Sequence, residues 1–328
     1  MDRVVVVGCG SIGKRHAVQL ARRQDVAVEL CDVSEGNLAD VRDAIGSVTT
    51  HRCYEDMLAT RPAMLVLATP PKLHASQAIA ALELGVHVLC EKPMCDTVEN
   101  ALRMRAAAEA SGCVLDVGFV LHFHPAMQAI KEALTAGRLG QILHVHWHVG
   151  TYETLFRSVS RHQAEIFGAL ALDYAHQPDL LYWWLRRNPK SVYAVGLQAG
   201  NLPLTSNPNL MSMVLQYEST PLATINLNFV QQPGRAHCEI VGDLGWAYVD
   251  LPTSTIRFGT FDGARAEDKA FANDRDELFR LEQQAFIEAV HGERPPESPP
   301  SSAIQSMLMV EAAIESLRSG QPKRIPAI

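Results

Sequence analysis

Glycines 8, 10 and 13, followed by the acid at position 32, are the residues whose spacing most directly implies chemistry. They stand in Gly8-Cys9-Gly10-Ser11-Ile12-Gly13, behind the valines at 4–7 and ahead of a helix-compatible stretch from Lys14 to Arg22. A strand, a tight glycine turn and a helix start form the context in which G-x-G-x-x-G binds a dinucleotide. Gly8 admits the turn, Gly10 lets the backbone approach a pyrophosphate, and Gly13 lets the helix pack close to the strand. The helix N-terminus adds unpaired N–H groups and the positive end of its dipole. About 20 residues further on, Asp32 ends the run Val26–Cys31, where a carboxylate binds the adenosine ribose hydroxyls and repels a 2′-phosphate. No arginine follows at once, so NAD is expected over NADP.

Two other groups of residues are of types that can do chemistry. His144, His146 and His148 recur at period two and project from one face of a strand, as zinc ligands can. No acid or cysteine is placed to complete a ligand set, so no metal is expected. The seven cysteines are odd in number and show no C-x-x-C spacing. They read as reduced, structural thiols, and Cys90 and Cys95 lack the adjacent base that a nucleophile needs.

These groups are positioned by a regular grammar. Apolar strands at 4–7, 26–31, 64–68, 86–90 and 114–117 alternate with helix patterns at 33–45, 74–84 and 97–110. Such alternation predicts right-handed β-α-β crossovers and a parallel sheet, with ligands outside the carboxyl ends of the strands. Gly8–Gly13, Asp32, Thr69–Pro71 and Glu91–Pro93 all fall at such ends. From about His122 the pattern changes to helices at 125–136 and 169–185 and to period-two strands. Those strands are expected at 142–149, 191–198, 211–217, 222–229, 236–241, 247–250 and 255–258, with closing helices at 277–291 and 301–319. The fold class is therefore α/β: a Rossmann domain over 1–121, then an α+β domain over 122–328 on a mostly antiparallel, open sheet. An open sheet of that length needs one face covered by helices and the other by something else, which a second subunit supplies.

Composition narrows the function classes. The chain has 328 residues, 47% hydrophobic and 20% charged, with a formal net charge of −7. The absence of basic runs argues against a nucleic-acid surface. No 18-residue apolar run is present and the N-terminus enters a strand, so no membrane partner and a cytoplasmic location are expected.

In this order, the segments resemble the glucose–fructose oxidoreductase / inositol dehydrogenase / rhizopine-catabolism family, Gfo/Idh/MocA. The resemblance runs nearly end to end: GCGSIGKRH at 8–16, TPPKLH at 69–74, ALELGVHVLCEKPM at 81–94, GFVLHFHPAM at 118–127, LGQILHV at 139–145, GALALDYAHQPD at 168–179 and EIVGDLGWAYVD at 239–250. The Glu91-Lys92-Pro93 segment is the most specific of these. The resemblance implies NAD(P)-linked hydride transfer at a hydroxyl or keto carbon of a sugar, cyclitol or derivative. It also implies a homodimer or homotetramer built on the open sheet. The cofactor is expected on Gly8, Gly10, Ser11, Ile12, Gly13, Asp32, Thr69, Pro70, His74, Glu91 and Lys92.

Lys92, at a strand end beside the nicotinamide, is expected to hydrogen-bond the reacting oxygen and stabilise its charge. His176 is expected as the general base, and Asp173, one turn back on the same helix, as the acid that sets its tautomer. Lys92, His122, Tyr152, Arg157, Asp173 and His176 are the expected substrate contacts, with Arg161 beside them. Relatives commonly space the acid and histidine four apart after two glycines, whereas here the gap is three and Ala169 replaces the second glycine. Many also carry arginine at His122 and asparagine at Val120. Two other functions fit the same motifs: glycoside cleavage or elimination with a recycled NAD, and a non-catalytic NAD-binding regulator.

Overall fold

The computed structural model describes residues 1–157, 162–264 and 266–328, the side chains of residues 157 and 162 excepted. The chain divides into two compact units. One contains Met1–Phe123 and Asp274–Met307; the other contains His124–Asn273 and Leu308–Ile328.

The first unit is built on a six-stranded parallel sheet. Its strands are β1 (Asp2–Val7), β2 (Val26–Cys31), β3 (Thr50–His51), β4 (Met64–Leu67), β5 (His87–Glu91) and β6 (Leu115–Gly118), in the order β3-β2-β1-β4-β5-β6. Val4 to Val7 are all buried, because β1 is central and covered on both faces. Every strand runs the same way, so all carboxyl ends lie along one edge, and the order reverses between β1 and β4. A short helix at Tyr54–Ala59, absent from the expected pattern, precedes β4.

The division at 121/122 expected from the sequence differs from the structure in one respect. The helix Arg275–Val290 sends Phe286 and Ile287 into the same core as Val4, Val6, Leu30 and Val66. The loop after it returns to the edge of the sheet, where Val117 N–H donates to the Ser298 carbonyl at 3.0 Å. Asp116, 4% exposed, accepts from the amides of Ser298 at 2.7 Å, Glu297 at 3.1 Å and Val117 at 3.1 Å. One carboxylate thus closes an edge that would otherwise present unpaired backbone.

The second unit holds a nine-stranded sheet: β7 (Ile142–Gly150), β8 (Ser191–Leu197), β9 (Leu210–Gln216), β10 (Leu222–Asn228), β11 (Arg235–Gly242), β12 (Gly245–Asp250), β13 (Thr255–Thr260), β14 (Ala266–Ala270) and β15 (Lys323–Arg324). Its order is β14-β13-β12-β11-β7-β10-β9-β8-β15, antiparallel except for β7 beside β10. The last two strands in sequence were not expected; β14 is largely polar and β15 has two residues, too little for a hydrophobic period.

Register separates the two faces of the sheet. Val192, Leu215, Ala223, Val145, Ile240, Ala247 and Phe258 are successive cross-strand partners and all are buried. One residue along, Tyr193, Val214, Thr224, His146, Glu239, Tyr248, Arg257 and Asp268 form the opposite row. On the helix-covered face, Trp147 stacks on Trp184 at 5.9 Å, and the Trp184 indole donates to the Met127 carbonyl.

The expected helix 169–185 is two helices, Ala169–Asp173 and His176–Leu185. Pro178 explains the break. Its ring would clash with the carbonyl four residues back, at Tyr174, and proline is accommodated in a first turn. Tyr174 accordingly leaves helical geometry, with φ −98° and ψ 35°.

Burial raises the Asp116 carboxyl from 3.8 to about 6, the amide bonds offsetting only part of that rise. A carboxyl raised on folding adds stability below its unfolded value and loses it as pH climbs through the folded one. The advantage of wild type over Asp116→Asn in urea unfolding should therefore shrink by about 3 kcal/mol between about pH 4 and about pH 7. A pH-independent difference would show that Asp116 does not titrate in that window.

Candidate active site

The polar residues of the first unit gather along the carboxyl edge of its sheet. Gly8 has φ +87°, and a Cβ there would lie 2.7 Å from the Ala68 carbonyl carbon; a Cβ on Gly13 would lie 1.7 Å from the Gly8 carbonyl oxygen. Only glycine fits either position. A Cβ on Gly10 would meet nothing within 4 Å, so the backbone there is open to a ligand. The helix Ser11–Ala21 begins at Gly10 with no side-chain cap and no acid in its first turn. Its first N–H groups are therefore offered to an anion, with Ser11 exposed and Ile12 packed against Val120 and Phe279.

Asp32 is fixed by the loops it adjoins. One oxygen accepts from Cys9 N–H at 2.6 Å and Asn37 Nδ2 at 3.1 Å; the other accepts from Ser34 N–H at 2.7 Å. The carboxylate is thus locked at the end of β2. Burial and the Asp32 charge push the Cys9 thiol up to about 12, and burial raises Cys31 and Cys95 to about 12 as well. Cys90 is likewise raised by burial, and no cysteine forms a disulfide. These thiols are packing residues.

After β4, Thr69 donates its hydroxyl to Gln77 at 2.6 Å, while Pro70 and Pro71 lead into the helix Pro71–Glu83. His74 was expected to meet the cofactor. It is instead 1% exposed, with Nε2 2.7 Å from the Thr69 carbonyl and Nδ1 3.2 Å from the Pro93 carbonyl. Burial lowers its imidazole below the usual range despite those carbonyls. It is a strut between the β4 and β5 loops rather than a ligand contact.

At the end of β5, Glu91 is the most connected side chain. Its Oε1 lies 2.8 Å from His16 Nε2, and its Oε2 accepts the Lys92 backbone N–H at 3.1 Å. Gln283 Nε2 donates to the His16 carbonyl at 3.1 Å and faces His16 Nδ1 at 3.0 Å. That pattern makes Nδ1 the acceptor and aims the Nε2 proton at Glu91. Gly118, on β6, leaves room for the carboxylate, since a Cβ there would lie 3.3 Å from Glu91. Burial pushes the Glu91 carboxyl up, but the hydrogen bond from His16 and the charge of the neighbouring Lys92 outweigh it and hold it below the usual range. The Lys92–Pro93 bond is cis.

His122 departs from expectation. It has no exposed surface, and its Nδ1 bonds Ser298 Oγ at 3.0 Å inside the first unit, so it supports the return loop and does not open to a ligand. In the second unit, Asp173 ends one helix and His176 begins the next, so they flank a junction instead of sharing one helical face. Asp173 accepts from Gln163 Nε2 at 2.9 Å. The Tyr152 hydroxyl accepts from Leu204 N–H at 3.1 Å, which ties its ring to the loop 199–209. Arg161 and the Arg157 side chain lie outside the described residues. The strand histidines are engaged too, His146 with Thr224 at 2.8 Å and His148 with Gln231 at 2.7 Å.

Residues 3–119 match a family model described as "Oxidoreductase family, NAD-binding Rossmann fold", and residues 127–248 match the "GFO/IDH/MocA C-terminal domain". The chain belongs to the Gfo/Idh/MocA family. It is an NAD-dependent oxidoreductase acting on CH–OH groups. Among its relatives is an inositol 2-dehydrogenase of Rubrobacter xylanophilus, 26% identical over 99% of this chain and 93% of that one. The WlbA dehydrogenase of Bordetella pertussis, solved with NADH and UDP-GlcNAcA, is 27% identical with a TM-score of 0.82, over 100% of this chain and 99% of that one. A scyllo-inositol dehydrogenase from Lactobacillus casei, at 18% identity, shares the fold with a TM-score of 0.86 over all of both chains.

Sequence reasoning missed His16, Gln283 and Glu282 as parts of this Gfo/Idh/MocA site. His16 was legible, since it lies on the glycine-loop helix within the quoted GCGSIGKRH. Gln283, which bonds His16, lies 267 residues from it, Glu282 is its chain neighbour, and neither carries a local motif.

Replacing Asp32 with alanine leaves three donors without their charged acceptor, at roughly 1.5–3 kcal/mol for such a bond. NAD affinity of Asp32→Ala is expected to fall about 10- to 100-fold by calorimetry, with discrimination against NADP reduced. Unchanged NAD affinity and unchanged NADP rejection would remove Asp32 from the cofactor site.

Proposed function

We propose that this protein is a cytoplasmic, homo-oligomeric dehydrogenase that oxidises a ring hydroxyl of a cyclitol, sugar or sugar derivative with NAD. The observation that carries the reading is the Glu91-Lys92-Pro93 turn at the end of β5. It shares an edge with the glycine loop and is braced by His16 from the dinucleotide helix. The relatives named for inositol and for a UDP-linked sugar acid support the substrate class. No described helix is long and apolar enough to cross a membrane.

The backbone amides of Ser11–Gly13 bind the pyrophosphate, and the locked Asp32 binds the adenosine ribose of the dinucleotide. NAD, when bound, supplies the acceptor for the hydride that leaves the substrate carbon. Lys92 donates to the substrate oxygen and stabilises the negative charge that grows on it. His176 takes the hydroxyl proton, and Asp173 favours the tautomer that can do so. Tyr152 lines the sugar. In the reverse direction the same groups act as acids.

The oligomer is assigned to the open face of the nine-stranded sheet. On it, Tyr193, Val195, Leu197, Val214 and Leu222 are exposed at 39, 49, 56, 37 and 48%. Contiguous apolar surface of this kind marks an interface. Val195→Asp is expected to lower the mass measured by sedimentation to that of the 36.0 kDa monomer without altering NAD binding. An unchanged mass would move the interface elsewhere.

The catalytic reading is tested by following NADH while the protein and NAD meet a panel of inositols, aldoses, amino sugars and nucleotide-linked sugar acids. Turnover on one class is expected, with kcat of Lys92→Ala lowered by about 10²- to 10⁴-fold, the usual size of a lost proton-transfer or electrostatic group, and NAD affinity retained. Bound NAD without net NADH would favour a recycled cofactor instead.

A further inference from the structure

Glu282 stands out among the buried polar groups of the first unit. It lies on the helix Arg275–Val290, is 3% exposed, and neither carboxyl oxygen has a hydrogen-bond partner among the described residues. One oxygen of Glu282, one of Glu91 and one nitrogen of His16 all lie within 4.8 Å of one another. Two carboxylates so close in a dry site cannot both stay ionised without a compensating charge. What compensation the surroundings supply, including the Lys92 charge, falls on Glu91, whereas the charges that reach Glu282 are negative. His16 aims its proton at Glu91, Lys92 gives Glu91 its backbone amide, and Gln283 on the same helix is spent on His16. Asp116, on β6, adds a third negative group.

We propose that Glu282 is a positioning residue held as its neutral carboxylic acid, whose O–H secures the Glu91 carboxylate beneath the Lys92 turn. The pair then carries one charge, kept on Glu91. Burial, with the charges of Glu91 and Asp116, pushes Glu282 well above the ordinary carboxyl range, and Glu91 lies below it. Such opposite displacements are what two coupled acids sharing one proton show. A second charge on Glu282 would repel Glu91 and compete for the His16 proton. The disturbance would pass straight to Lys92, because Glu91 holds its backbone. The protonation state stands by itself; only the consequence for turnover rests on the proposed dehydrogenase function.

The experiment is infrared difference spectroscopy of the NAD-saturated protein, wild type against Glu282→Gln, above the pH range in which Asp116 titrates. A protonated-carboxyl C=O band is expected in wild type and absent from Glu282→Gln. Kinetics then separate positioning from bulk packing. Glu282→Leu, which fills the space without a donor, is expected to lower kcat by roughly tenfold or more, the scale of a displaced catalytic group. Glu282→Gln, which restores a neutral donor, is expected to recover most of that loss. No protonated-carboxyl band in wild type overturns the proposal, as does a stoichiometric divalent cation lost on Glu282→Gln, since a cation would then supply the missing charge. Equal kcat in both variants overturns the positioning role. If no substrate is turned over by wild type, the dehydrogenase reading fails while the band still decides the state of Glu282.

Discussion

A buried carboxylate must be met by hydrogen-bond donors, and in the first unit that requirement shapes the working edge. Asp32 takes the amides of Cys9 and Ser34, Glu91 takes the Lys92 amide and the His16 ring, and Asp116 takes the amides of Ser298 and Glu297. Each side chain ties its own strand to a loop or helix from elsewhere in the chain. The loops that carry the chemistry are thereby held by charge-assisted bonds, which are stronger than neutral ones. Without them, the glycine turn, the Glu-Lys-Pro turn and the return loop would hang independently from their strands.

The parallel sheet makes this arrangement possible. Its apolar strands need helices on both faces, which leaves only the edges for polar loops. Gly8 and Gly13 then allow β1, β4 and the first helix to approach so closely that a single methyl group would part them. Close packing there brings the helix N-terminus into line with Asp32 and Glu91. Such an edge suits a dinucleotide, whose phosphates accept from N–H groups and whose ribose hydroxyls donate to a carboxylate.

The second unit solves a different problem with the same period-two logic. One row of its sheet is wholly apolar and packs under helices. The next row mixes Tyr193 and Val214 with Thr224, His146, Glu239, Tyr248 and Arg257. Where that row is apolar it matches what a protein surface needs for a partner. On the same face, His146 bonds Thr224, while His148 bonds Gln231 and stacks on His237.

Local chemistry made much of this legible before any coordinates. The glycine spacing, Asp32, the Glu91-Lys92-Pro93 turn and nearly all the longer strands are short-range patterns, set by backbone sterics and side-chain alternation along a few residues. Even the break between Asp173 and His176 was written in Pro178, although the helical period hid it. Long-range packing decided the rest. Nothing local to residues 275–290 says that Phe286 and Ile287 fill the core begun by Val4, or that Gln283 meets His16. Nor does the sequence around His122 show that Ser298 will claim its ring. The Glu282–Glu91–His16 cluster exists only because a helix near the end of the chain folds back over the first sheet. Its chemistry depends on burial and distance, quantities that no stretch of sequence carries until the chain has closed.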